Sequence, residues 1–330
     1  MDWAQILINA LRASIGIDAI VFALAAIGLN VHFGYTGLLN FGQAAFLAVA
    51  GYGLATTVVY LGLGFWTGLL VGIAAAVVLA LLLGVPTLRL RADYLAIVTI
   101  AAAEIVRLLV RSAALRKYFG GSDGLQNFSE DFYALNPFPP GSYGVGSLRF
   151  GEREFWVVTV GWTLVLLTSL VVFALMRSPW GRVLKAIRED EDAVRSLGKN
   201  VYGYKLQSLV IGGVLGCFGG FVYALGRATI QPDAFGTETT FFAYTILILG
   251  GAARVLGPVV GAIVFWVLLS LTDNVLNQAI TAGYIPTSIM ETVQVGQVRF
   301  MLVGLGLMLL MIYRPQGIFG DRREVALDAR

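Results

Sequence analysis

The chain is 330 residues long, 58% hydrophobic and only 13% charged, with a formal net charge of +3. A soluble protein carries about twice that charged share, and apolar runs long enough to span recur from end to end, so soluble domains and a nucleic-acid partner are excluded. One cysteine, Cys217, and one histidine, His32, exclude an internal disulfide, a cysteine-based metal site and histidine-cluster chemistry.

In chain order, residues 2–12 place Trp3, Ile6, Leu7, Ala10 and Leu11 on one helical face, as in a helix lying on a membrane surface or a frayed terminus. The start has neither the basic stretch nor the small-residue cleavage site of a signal peptide. Ser14 to Phe33 is the first spanning run. It meets Gly34-Tyr-Thr-Gly-Leu-Leu-Asn-Phe-Gly-Gln43, too polar for a lipid-facing helix and too apolar for an exposed loop. Such backbone at membrane depth must be protein-buried or line a cavity. Further runs follow over 44–61, 65–85, 94–110, 155–176, 206–225, 241–249, 259–276 and 300–313, the short 241–249 run reading equally as half a crossing.

Between them, 86–91 is a basic turn with Arg89 and Arg91, and 112–153 is a long hydrophilic segment with four basic and four acidic side chains. A second glycine-rich break, Gly250 to Pro258, echoes the first and suggests an internal repeat with a pathway at its interface. The basic segments are 177–205, the 89–91 turn and the 314–330 tail. Even numbers of spans separate them, so all three can face the cytoplasm, leaving 112–153 and the N-terminus outside. The expected fold is therefore an all-α polytopic membrane protein of one permease-like domain over 1–330, with about 8–10 transmembrane helices, some of them broken.

The 177–205 loop holds seven of the 23 Lys and Arg residues and an acidic knot at Glu189, Asp190, Glu191 and Asp192. Ser178 suits an N-cap and Pro179 the first helical position. Val183, Leu184 and Ile187 then share one face, with Arg182, Lys185 and Arg188 largely off it. Asp190 can cap a second short helix carrying Ala193, Val194 and Leu197, ended by Gly198. Two amphipathic helices exceed what a returning loop requires, so the loop reads as a docking element for a cytoplasmic partner or, more simply, as a topology signal.

Catalytic constellations are absent: the chain has no Walker-type GxxxxGK[ST], no HExxH and no CxxC. It is therefore not expected to be an enzyme or to hold a metal or cofactor of its own. Thr36, Asn40 and Gln43 can hydrogen-bond a passing solute or satisfy freed backbone in the first break. Glu104 is the single acid placed to serve an ion-coupled pathway, although Arg107 and Arg111 on the same helix face can neutralise it. Asp18, Arg227, Asp273 and Arg299 lie near run ends, where snorkelling accounts for them.

The order and spacing of several motifs resemble a known family. They are Gly28-Leu-Asn30, the break from Gly34 onward through Ala44-Ala-Phe46, and Leu88-Arg-Leu-Arg-Ala-Asp-Tyr-Leu-Ala-Ile-Val-Thr99. Glu104-Ile-Val-Arg107, Gly120-Gly-Ser-Asp-Gly-Leu125 and Ser178-Pro-Trp-Gly-Arg-Val-Leu-Lys-Ala-Ile-Arg-Glu-Asp-Glu191 also fit, as do Leu249-Gly-Gly251, Leu256-Gly-Pro-Val-Val-Gly261 and Arg314-Pro-Gln-Gly-Ile318. Over nearly its whole length the chain is similar to the inner-membrane permease subunits of ABC importers for branched-chain amino acids, of the LivM type. The resemblance implies a partner permease of the LivH kind, two cytoplasmic ATPases that carry ATP and Mg, and an external substrate-binding protein. It implies that the 177–205 loop carries the helix seated on an ATPase, the helix on which Arg182, Val183, Leu184, Ile187, Arg188 and Glu189 lie; the candidate pathway residues Thr36, Asn40, Gln43 and Glu104 rest on their own chemistry. Gln43 stands where relatives often carry His. Urea permeases share the superfamily, and an ion-coupled secondary transporter is the alternative from another class.

Overall fold

The architecture is that of a computed structural model describing residues 2–88, 92–282, 284, 294–314 and 316–320. The Arg89/Arg91 turn, residue 283, the 285–293 connection and the tail from 321 lie outside the described residues. Helix α1 spans Trp3–Ile15, α2 Ile17–Leu29, α3 Gln43–Leu61, α4 Phe65–Thr87 and α5 Ala92–Arg111. Two short helices follow in the hydrophilic segment, α6 Arg116–Phe119 and α7 Glu130–Ala134, before the long α8 Glu152–Arg177. The charged loop folds as α9 Pro179–Glu189 and α10 Glu191–Ser196. The remainder is α11 Val201–Arg227, α12 Thr237–Gly250, α13 Gly257–Thr281 and α14 Val295–Tyr313.

All nine apolar runs thus lie in helices, apart from Gly16, where α1 hands over to α2 within the first run. Six of the described helices are long and apolar enough to cross a membrane; α2 reaches that length through the turn at its end. Among the other three, α12 has 14 residues, about 21 Å at 1.5 Å per residue against about 30 Å of hydrocarbon. It is too short to cross unaided. Four short strands also form, which the all-helical expectation did not include. Leu125–Gln126 pairs antiparallel with Thr229–Ile230, and Ser142–Val145 with Leu148–Gly151.

The bundle is built around α2, buried on nearly every side. It can approach α11 closely because glycines replace side chains at the crossing. A Cβ on Gly28 would overlap the Gly212 carbonyl and lie 2.6 Å from the Gly216 nitrogen. Gly212, Gly216 and Gly220 recur every four residues along α11, the small-residue spacing that brings membrane helices together. Helix α1 divides the apolar face read from its sequence. Ile6, Ala10 and Ser14 are buried while Trp3, Leu7 and Leu11 stay exposed, and Asn9 Nδ2 donates to Asn274 Oδ1 of α13 at 2.7 Å.

The 112–151 segment and the 178–200 loop lie at opposite ends of α8, about 39 Å apart along its 26 residues. Aromatic donors tie the first of these to the helices. Tyr133 OH donates to Leu225 O at 2.8 Å and Trp156 Nε1 to Phe132 O at 3.2 Å.

Candidate functional site

The first glycine-rich break interrupts the helix as its composition requires. After Leu29 the chain widens into a π-helical turn, Asn30–Tyr35, a form often found at functional sites. Gly37 then takes a left-handed φ of 74°, and the chain runs without regular structure to Gly42, where α3 starts. Gln43 therefore lies part-way across the bundle, its amide backed by Gly216 near the middle of α11.

The polar residues of the break are buried. Thr36, Asn40 and Gln43 are at most 2% exposed, and their side chains point to each other and to freed backbone. Thr36 Oγ1 donates to Val31 O at 2.8 Å and lies 2.7 Å from Ser208 Oγ. Asn40 Oδ1 accepts from Gly42 N at 2.9 Å. Asn40 Nδ2 reaches His32 Nδ1 at 3.0 Å and, more weakly, Gln43 Oε1 at 3.4 Å. With Nδ1 accepting, His32 Nε2 carries the proton and donates to Leu209 O at 3.1 Å. His32 is thus a buried structural strut. One donor is left over: Gln43 Nε2 is buried with no acceptor among the described residues.

Tyr244 of α12 closes over this start of α3. Its hydroxyl donates to Asn40 O at 3.1 Å, and its ring stacks on Phe41 at 4.6 Å between centroids. Thr240 Oγ1 accepts from Ala44 N at 2.9 Å, so the short helix α12 caps one end of α3. None of Tyr244, Thr240, Phe41 and Ser208 stood out in the sequence as a site residue. Their aromatic and hydroxyl chemistry is ordinary for apolar helices, and only the fold brings them to the break.

The two breaks touch. Asn30 Nδ2 donates to Arg254 O at 2.8 Å and Asn30 Oδ1 accepts from Ala253 N at 2.9 Å. One buried amide thus bridges the end of α2 to the α12–α13 junction. The Arg314-Pro-Gln-Gly-Ile318 motif returns to the same place, with Ile318 N donating to Leu249 O at 2.9 Å and Phe319 N to Gly250 O at 3.1 Å. Gly317 adopts a φ of 73° there, and a Cβ on it would overlap the Ile248 carbonyl.

Helix α9 is the fourth part of this junction. Its caps are as the sequence reads: Ser178 Oγ accepts from Gly181 N at 3.4 Å, and Asp190 Oδ1 accepts from Asp192 N and Ala193 N to start α10. Arg188 Nη1 donates to Gly34 O at 2.7 Å, and the Lys185 ammonium lies 5.7 Å from the centroid of the Tyr35 ring. The loop helix therefore holds the π-helical turn by a carbonyl that an unbroken helix would have used itself.

The face assigned to docking needs correction. Leu184 is 0% and Ile187 4% exposed, and both belong to this chain's own core, with Val183 packed against it. The apolar side of an amphipathic helix seeks the nearest apolar surface, and here the bundle supplies it. Arg182, Lys185 and Glu189 are exposed instead, as is Leu197 just after α10, at 79%.

Glu104 is held by its own helix. Arg107 Nη2 lies 2.5 Å from Glu104 Oε1 and Arg107 Nε 2.9 Å from Oε2, while Arg107 and Arg111 both reach Asp233 Oδ1 at 3.0 Å. The run-end charges do more than snorkel. Asp18 pairs with Arg227 at 2.8 Å and Asp273 with Arg299 at 3.1 Å, each across two helices.

Residues 11–313 match the family described as branched-chain amino acid transport system, permease component. The chain belongs to this family of permeases. It is 32% identical to the high-affinity branched-chain amino acid transport system permease protein LivM of Escherichia coli K12, over 90% of this chain and 67% of that protein. A probable LivM of Methanocaldococcus jannaschii is 28% identical over 92% of this chain and 91% of its own length. The LivH permease protein of Escherichia coli K12 is 26% identical over 92% of each chain. The permease is thus a multi-pass membrane protein whose broken helices meet at the junction with α9.

Proposed function

We propose that this chain is the membrane-spanning subunit of an ATP-driven importer that moves branched-chain amino acids inward across a prokaryotic cytoplasmic membrane. The names of its relatives support the solute, and their LivH and LivM kinds support a pair of different permeases. Two cytoplasmic ATPases would carry the ATP and Mg and do the hydrolysis, and an external binding protein would deliver the solute. The observation that carries the mechanism is the Arg188 bond to Gly34 O. A displacement of α9 by an ATPase would pull directly on the turn that precedes α3, and Asn30 would transmit it to α12 and α13.

The start of α3 is the proposed passage. The helix start carries partial positive charge inside the bundle, which would favour an amino-acid carboxylate in an open conformation where Asn40 and Thr240 release the Gly42 and Ala44 amides. Tyr244 would act as the gate over it in the closed conformation. Gln43→Leu removes the one amide donor without an acceptor, so assembly should persist while uptake of leucine by the reconstituted complex falls. Normal uptake in that variant would make the break packing alone. A panel of leucine, isoleucine, valine and urea on the wild-type complex tests the solute; preferred uptake of urea would reject the amino acids.

The proposed orientation puts the α9 end in the cytoplasm. Ser129, an apparent choice for outside labelling, is buried, whereas Ser147, in the turn between strands Ser142–Val145 and Leu148–Gly151, is exposed. Ser147→Cys should react with an impermeant thiol reagent in intact cells, and Ser196→Cys only after the membrane is opened. Cys217 is fully buried and contributes little background. The opposite labelling pattern would invert the topology.

A further inference from the structure

A cavity of about 730 Å³ opens at the far end of the bundle from α9, where α2 and α8 begin and α11 ends. It plays no part in the passage described above. Ile17, Trp266 and Leu269 give it apolar lining, and it carries four arginines against three carboxylates. Each carboxylate already has an arginine. Arg12 pairs with Glu154 at 2.6 Å, Arg227 with Asp18 at 2.8 Å and Arg299 with Asp273 at 3.1 Å. Arg153 is the excess charge. Among the described residues it faces the Tyr133 ring, 5.2 Å from its centroid, and pairs with no carboxylate.

Three further features favour an anion. Gly16, which caps α2 without a side chain, lines the cavity together with Ile17 and Asp18 of the first turn. The indole Nε1 of Trp266 and the Nε of Arg299, both on residues lining the cavity, are buried donors with no acceptor among the described residues. The cavity also lies where α2 and α8 begin and α11 ends, three helices long and apolar enough to cross a membrane, and Ile17, Trp266 and Leu269 give it apolar lining for an acyl chain.

We propose that this cavity binds the phosphate of an anionic phospholipid in the leaflet on the side of the 112–151 segment. Arg153 would supply the principal charge and the α2 amides and Trp266 the orienting donors. The lipid would brace α1, α8 and α13 against α2 at the end opposite the ATP-driven junction.

The test is lipid binding to the delipidated, purified transporter complex by native mass spectrometry, with phosphatidylglycerol and phosphatidylcholine as probes. The wild type should bind phosphatidylglycerol about tenfold more tightly than phosphatidylcholine. Arg153→Gln should abolish that preference while leaving phosphatidylcholine affinity unchanged. Trp266→Phe, which keeps the ring and loses the donor, should weaken phosphatidylglycerol alone. Arg116→Gln, a change to an exposed arginine paired with Asp123 in the same segment, should have no effect. Equal affinity for the two lipids, or an Arg153→Gln complex indistinguishable from wild type, would overturn the proposal. Displacement of the lipid by an equal concentration of glycerol 3-phosphate would reassign the site to a soluble anion. Retained lipid together with lost stimulation by the binding protein in Arg153→Gln would reassign the cavity to that protein.

Discussion

Leu184→Asp is expected to remove the permease from the membrane instead of releasing the proposed ATPases. Leu184 is fully buried under α9 and faces the core. The substitution deletes that packing and leaves a carboxylate without a partner, a cost of at least about 3 kcal/mol. Membrane fractions should contain little of this variant by immunoblot, and what is purified should unfold at lower temperature. Leu197→Asp provides the contrast. Leu197 is 79% exposed, so the chain should accumulate normally, while the ATPases should be lost on purification and uptake with them. If Leu184→Asp accumulates and sheds its ATPases while Leu197→Asp behaves as wild type, the buried side of α9 is the docking face after all.

Asn30→Leu should uncouple the two halves of the junction. The side chain is isosteric enough to fit, but it leaves the Arg254 carbonyl and the Ala253 amide without the bonds that Asn30 makes to them. Each bond lost at this half-buried junction costs about 0.5–1.5 kcal/mol. The expected variant assembles with its partners, hydrolyses ATP and takes up at least about tenfold less solute, because motion at α9 no longer reaches α12 and α13. Measured on reconstituted complexes, unchanged uptake per ATP would show that the bridge only adds stability.

Both expected results together would locate the proposed coupling in contacts between elements. The apolar packing of α9 fixes where the helix sits, and the bonds of Arg188 and Asn30 tie it to both breaks. Glycine permits the arrangement at Gly34 and Gly317, where a Cβ would collide with Asn30 Oδ1 and with the Ile248 carbonyl respectively.

The amino-acid sequence by itself determined the class of the protein and the course of its chain. Runs of apolar residues report directly on helices that satisfy their own backbone in lipid, so all nine were legible. Glycine-rich stretches marked both breaks, and Ser178, Pro179, Asp190 and Gly198 marked the ends of α9 and α10, because capping is local chemistry. Tertiary structure alone decided which way amphipathic faces turn. Val183, Leu184 and Ile187 form an apolar face whether the neighbour is an ATPase or the chain's own bundle, and periodicity is blind to the difference. The same holds for Asp18 and Arg227, which are 209 residues apart and pair only because α2 and α11 cross at glycines. Asn30 and Tyr244 become parts of the site for that reason too: a hydrogen bond depends on distances of about 3 Å, and only the packed bundle sets them between remote residues.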